Sequence, residues 1–350
     1  MLIIFNHKIL LFAIDIKIFF AFLLKKNPLW FIDIMPHVWY PLTITMTYSE
    51  VLYMFDILVG TLLPSFAAIP AIRQLNPKGF ECYEIYFAGD AEISRISEYA
   101  KEALDAADGR KISAIAVYGN TMCDESVYRN VETLIKNAHL FGCDKVCLSA
   151  GADPTKSVPD NIPLFKKTFE PLAKLAEANG VKIGFENCGY GWHGNSENIA
   201  FSPAAWELMF DAVPSDALGL EWEPAHQLCA LVDPIPQLRK WAKKVVHVHG
   251  KDATVAWDVV REYGTHGIHP YAWHRTPGFG DTNWADIFTI LLQAGFTGSV
   301  DIEGYHDPVH YDDMEWTAQI TSMEYLKRCR GGLQFFEGPA EYRGYQGKRK

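Results

Sequence analysis

Residues 245–252 read VVHVHGKD. The apolar, β-branched start predicts a buried strand over Val245–His249. Side chains two apart in a strand share a face, so His247 and His249 are expected to point one way and Val246 and Val248 the other. A parallel strand covered on both faces should be apolar throughout. Two imidazoles on one face, near the carboxyl end, therefore point to a site.

Working outward, the same rhythm recurs from about residue 56. Strand-like runs are predicted at roughly 56–62, 83–87, 112–118, 145–149, 181–187, 218–223, 245–249 and 299–303, separated by amphipathic patterns. Ile93, Ile96, Ala100, Ala103 and Leu104 fall at helical spacing, as do Leu164, Phe165, Phe169, Leu172 and Leu175. Ser202–Pro203 suits an N-cap and first helical residue, and Asn283 followed by Asp286 starts another helix that ends near Gly295. Eight βα units predict an α/β fold, a (β/α)8 TIM barrel. Neither GxGxxG nor GxxxxGK[ST] occurs, so no nucleotide cofactor is indicated.

The barrel is expected over residues 56–335, with an N-terminal extension over 1–55 and a basic C-terminal tail over 336–350. The apolar run Ile9–Leu24 ends at Lys25 and Lys26 and has some character of a signal anchor. It is short for a span, however, and carries Asp15 and Lys17, each costing about 2.5–3.5 kcal/mol in a membrane. A non-native extension, such as an upstream start codon produces, is the preferred reading. The formal net charge of −10 and pI of about 5.6 argue against a broad nucleic-acid-binding face. Seven cysteines, an odd number with no CxxC pair, suit a reduced cytoplasmic chain. The expected partner is a small molecule, with neither nucleic acid nor membrane involved and a homo-oligomer compatible.

Four consecutive strand candidates end in polar groups. KIGFENC ends at Glu186, LGLEWEPAH carries Glu221 and Glu223, VVHVHG carries both histidines, and SVDIEGYH carries Asp301 and Glu303. In a barrel the carboxyl ends meet at one mouth. Glu186, Glu223, His249 and Glu303 stand nearest it, and three carboxylates with one imidazole would repel one another without a cation between them. Such donors suit one divalent metal ion, Mn2+ first, with Mg2+, Co2+ or Zn2+ compatible. Glu221, His247 and Asp301 lie one layer deeper, placed to hold those ligands. Trp192, Trp273 and Phe279 are loop candidates for an apolar substrate face, and His193, His274, Arg275 and His306 for polar substrate contacts.

GLEWEPAHQL, VVHVHGKDA, VYGN and TPGFGDTNWADIFTILLQAGFTGSVDIEGYHDP together resemble motifs of the sugar phosphate isomerase/epimerase family of the xylose isomerase-like TIM barrel superfamily, over about residues 80–332. The resemblance implies a metal held by Glu186, Glu223, His249 and Glu303. It also implies Glu186 and Glu303 as the acid/base pair, His226 on a substrate oxygen, and Lys251 and Asp252 as the pair that follows the metal histidine. Where the family has Asp and Asn, this chain has Glu223 and Glu221; the longer carboxylate at 223 would hold a cation differently.

The function expected is a sugar or keto-polyol isomerase or epimerase working by proton transfer through a metal-stabilised enediolate. The alternative is a lyase on the same scaffold, an inosose dehydratase or a 3-keto-glycoside or C-glycoside eliminase. An endonuclease IV-like AP endonuclease is disfavoured, because no His occurs between His37 and His139 and Ala272 stands where that enzyme's Asp-x-His motif needs Asp. A non-catalytic barrel would lack a bound divalent ion.

Overall fold

The computed structural model describes residues 55–189 and 197–335. The extension up to residue 54, Trp192, His193 and the basic tail from 336 lie outside them. Among the described residues, β1 (Ile57–Pro64), β2 (Cys82–Tyr86), β3 (Lys111–Val117), β4 (Lys145–Leu148), β5 (Lys182–Glu186), β6 (Leu218–Trp222), β7 (Val245–Gly250) and β10 (Gly298–Ile302) close into a parallel barrel. Its order is β1-β10-β7-β6-β5-β4-β3-β2, and each strand overlaps the run predicted for it. Helices wrap the outside, among them 96–107, 158–179, 203–212, 284–293 and 315–330. Their starts are set locally: Asp124, Ser157, Ser202, Asp233 and Asn283 each accept a hydrogen bond from a first-turn amide. No helix among the described residues is long and apolar enough to cross a membrane.

Strand alternation sorts the two faces. Val59, Ile85, Ile115, Ile183, Leu220, Val248 and Val300 are fully buried in the main apolar cluster, each contributing about 1.5–3 kcal/mol of transfer free energy. The inner face is small or polar. A Cβ on Gly60 would lie 2.0 Å from Asp301 Oδ1, and one on Gly219 would lie 2.6 Å from Val246 Cγ1. Those glycines leave room on the barrel axis for larger side chains opposite.

One sequence-based expectation is overturned here. The β6–β7 ladder pairs Leu220 with Val245 and then Glu221 with His247, so Val246 is an extra residue in β7. Such a bulge turns side chains locally. Val246 consequently packs against Gly184 and Gly219, inner-face positions, instead of facing the outer helices beside Val248. A matching slip in β3 inserts Ser113, whose Oγ donates to Asp301 Oδ2 at 2.6 Å.

The amino end of the barrel is tied by a buried ion cluster. Arg330, from the last helix, donates to both oxygens of Glu81 at 2.5 and 3.0 Å. Lys327 Nζ lies 3.2 Å from Glu81 Oε1, and Val59 N donates to Oε2 at 2.8 Å. Removing one partner leaves an uncompensated buried charge, which typically costs about 3–5 kcal/mol. Glu81→Ala is therefore expected to lower the urea midpoint by that equivalent; an unchanged midpoint would show that the cluster does not hold the last helix to β1 and β2.

Candidate functional site

Glu186 ends β5, Glu223 follows β6, His249 lies on β7 and Glu303 follows β10. The barrel brings all four together. From His249 Nδ1, Glu303 Oε2 lies at 3.3 Å, Glu223 Oε2 at 3.9 Å and Glu186 Oε1 at 4.0 Å. Donors that sit about 2.1 Å from one ion stand about 3 Å apart, so a modest contraction would suit a single cation. The satisfaction of these groups points the same way. His249 Nδ1, both oxygens of Glu223 and Glu303 Oε2 are buried without a hydrogen-bond partner. His226 Nε2 comes within 2.5 Å of Glu223 Oε1, but not in hydrogen-bonding alignment. Leaving several buried polar atoms unmatched is expensive; one divalent cation would satisfy them together, and the donor set fits it.

A second layer of charge lies beneath. His249 turns Nε2 toward Glu221 Oε1 (3.0 Å), Glu84 Oε2 (3.1 Å) and Tyr118 Oη (3.2 Å). Those contacts fix the ring and aim Nδ1 at the mouth, as partners behind a metal-binding imidazole commonly do. His247 Nε2 instead meets Glu84 Oε2 at 2.8 Å and Asp301 Oδ2 at 3.2 Å. Asp301 also accepts from Cys82 Sγ, Ser113 Oγ and Ser299 Oγ. Glu221, His247 and Asp301 thus lie deeper than the mouth group. Sequence reasoning missed Glu84 and Tyr118. Glu84 did leave a signal, as the acidic residue in the otherwise uncharged strand CYEIY.

The environment pushes the two mouth carboxylates apart. Burial, with Glu303 nearby, raises Glu186 to about 7. Burial would raise Glu303 too, but Lys251 and His249 hold it well below the usual carboxylate range, and Lys251 Nζ donates to Glu303 Oε1 at 2.5 Å. Against burial, His247 and His249 hold Glu84 far down, while Glu84 and Asp301 lift His247 to about 10. Burial and the Lys251 charge depress His226 strongly and His274 to about 4, so both present neutral imidazoles at neutral pH.

These groups open into a cavity of about 880 Å3 lined by Glu186, His226, His249, Lys251, His274, Glu303 and His306, among others. His274 reaches it from a feature the sequence did not reveal, an antiparallel hairpin of β8 (Asp252–Val255) and β9 (Ala272–Arg275) outside the barrel. Its ring packs edge-on to His226, with centroids 4.9 Å apart. Arg275, expected at the site, is not among the lining residues. Its Nε donates to Asp307 Oδ2 at 3.3 Å, tying the hairpin to the loop after β10. Asp252 is likewise structural: it accepts from the amides of Gly278 and Thr282 and so shapes the following loop. Trp273 is partly exposed on the hairpin and Phe279 packs on His310, so neither lines the cavity.

Comparison with known proteins adds the following. An inosose dehydratase from Bacillus thuringiensis (strain Al Hakam) is 22% identical over 238 residues, covering 62% of this chain and 76% of the relative. A 3-keto-D-glucoside 4-epimerase from E. coli superposes with a TM-score of 0.60 at 14% identity, over 78% of this chain and 100% of that one. A xylose isomerase-like TIM barrel protein from Mycobacterium smegmatis, in complex with magnesium, gives a TM-score of 0.58 at 17% identity, over 81% and 99%. At such identities the structural likeness speaks to the fold alone. Sequence likeness reaches further: residues 72–329, most of the chain, match the family model, and the protein belongs to the Xylose isomerase-like TIM barrel family.

Proposed function

We propose that the chain is a divalent-metal-dependent isomerase or epimerase of a sugar or keto-polyol, acting by removal and return of a carbon-bound proton beside a carbonyl. The observation that carries this reading is the pair Glu186 and Glu303, two carboxylates that flank His249 and line the floor of the cavity. Two carboxyl groups facing one cavity can serve a substrate carbon as base and acid. Glu186, Glu223, His249 and Glu303 would hold the cation, Mn2+ before Mg2+, Co2+ or Zn2+. The bound cation would supply charge stabilisation to substrate oxygens as the proton leaves. Glu186, at the cavity floor, is suited to take a proton from carbon. Glu303, kept ionised by Lys251, is suited to the opposite side of the same carbon. Neutral His226 and His274 can donate to substrate hydroxyl or carbonyl oxygens, and Lys251 keeps Glu303 in place.

A lyase is the second reading, favoured by Glu223 in place of the family's Asp and by the inosose dehydratase likeness. The same proton removal would then expel a leaving group from the neighbouring carbon. Product mass decides: conversion without mass change supports the first reading, and loss of water or an aglycone the second.

Metal dependence is tested by titrating chelator-treated protein with Mn2+. A hundredfold excess over Kd should stabilise by about 2.7 kcal/mol, a rise of several degrees in Tm. The rise should grow from pH 5.5 to pH 8. With Glu186 raised to about 7, the metal-free fold loses stability as pH climbs through that value and the unmatched charge appears; the cation removes that penalty and no longer competes with a proton. No shift at either pH, and no bound divalent ion, would leave only a non-catalytic barrel.

A further inference from the structure

The cavity has two unlike walls. In barrel order, the arc of β7 and β6 contributes Lys251, His226 and, through the hairpin, His274; the arc of β1 and β2 contributes Pro64, Phe66 and Tyr86. Trp316, at the start of the last helix, extends the second wall. Glu303 of β10 stands between the arcs, so the apolar wall runs directly on from the carboxylate centre. Phe66 is 69% exposed and Trp316 is 40% exposed. Neither belongs to the buried core, yet two separate segments bring them to one cavity. Large apolar groups exposed together at a pocket mark a ligand surface. The volume agrees: about 880 Å3 lies toward the upper end of the roughly 300–1,000 Å3 typical of drug-sized ligands, several times what a single sugar ring fills.

We propose that the site takes a keto-sugar carrying an aromatic substituent, an aryl keto-glycoside, with the sugar at Glu186 and Glu303 and the aryl group between Phe66 and Trp316. The proposal rests on the reading of the carboxylate–histidine centre as the sugar-binding end. An aryl ring can stack on Phe66, Tyr86 and Trp316 with the offset or edge contacts such rings prefer, while the sugar hydroxyls meet His226 and His274. A free monosaccharide would leave the apolar wall wet.

Calorimetry on the Mn2+-loaded full chain tests this with matched phenyl and methyl glycosides of glucose, galactose and xylose, which lack the carbonyl and so bind without turnover. At least one phenyl glycoside should bind about tenfold or more tightly than its methyl counterpart. Phe66→Ala and Trp316→Ala should each erase most of that difference and leave methyl glycoside affinity unchanged. Equal affinity within every pair, binding of neither member of any pair, or a phenyl preference untouched by both substitutions overturns the proposal. A protein that takes up Mn2+ and binds methyl glycosides equally well keeps the reading of the centre while refuting the aryl site. A protein that discriminates phenyl from methyl glycosides but never takes up Mn2+ keeps the aryl site and refutes the metal reading.

Discussion

Glu186→Gln and Glu303→Gln should each lower turnover by about three orders of magnitude while the chain keeps its fold. General acid–base groups contribute roughly 10²–10⁴ in rate, and each amide preserves shape while removing the proton acceptor. The two variants should part company in stability, and that contrast is the sharper test. Burial and Glu303 raise Glu186 above its ordinary range, so its ionised form opposes the fold above about pH 7. Glu186→Gln removes that opposition, and the metal-free variant should be at least as stable as the parent at pH 8. Glu303 has the reverse sign, since Lys251 and His249 hold it down. Glu303→Gln leaves Lys251, 2% exposed, without its carboxylate, a loss of about 3–5 kcal/mol by analogy with other broken buried pairs. Steady-state turnover and urea midpoints at pH 8 check both statements. Retained turnover in either variant would remove that residue from the chemistry. Equal destabilisation of both would show that their environments are not opposed.

The strands were legible because each pairs an apolar outer face with a small or polar inner one, and the period of two survives in sequence. The mouth residues were legible for a related reason: Glu186, Glu223, His249 and Glu303 end their strands, and strand ends converge in a barrel. Other features left no comparable local trace. The bulge at Val246 depends on how β7 meets β6, a property of the pair and not of either strand. The β8–β9 hairpin joins segments separated by residues 256–271, so nothing in either announces the other. Arg275 looked like a free loop cation because Asp307, its partner, comes from a different connection. Glu84 sits mid-strand, where attention to strand ends passes over it. Yet it is fully buried, and His247 and His249 both turn to it.

That shared carboxylate makes the neighbouring histidines a test of orientation. His249→Gln should weaken Mn2+ binding by more than about a hundredfold, whereas His247→Gln should weaken it by no more than about tenfold, the lower end of what supporting groups contribute. The rings lie two residues apart on one strand, but they face different atoms. His249 presents Nδ1 to Glu186, Glu223 and Glu303. His247 is enclosed by Glu84, Asp301 and Ser299, with its Nε2 committed to carboxylates on the barrel axis. Glutamine at either position can still donate toward Glu84, so the fold should survive both changes, and metal content by mass spectrometry with calorimetric Kd reads the difference. His247→Gln should act chiefly on stability, because Glu84 and Asp301 then face each other across a neutral amide in place of an imidazolium lifted to about 10. The reverse order of metal affinities would mean that the cation sits in the lower cluster of Glu84, Glu221, His247 and His249, whose donor atoms also lie within 4.8 Å of one another. Against that order stands the satisfaction of the atoms: lower-cluster contacts pair each imidazole with a carboxylate at 2.8–3.2 Å and leave one buried oxygen, Glu221 Oε1, without a hydrogen-bond partner, whereas at the mouth four atoms lack one, His249 Nδ1, both oxygens of Glu223 and Glu303 Oε2. A cation gains most where it replaces unmade bonds, and more of those lie around Nδ1 of His249 than in the lower cluster.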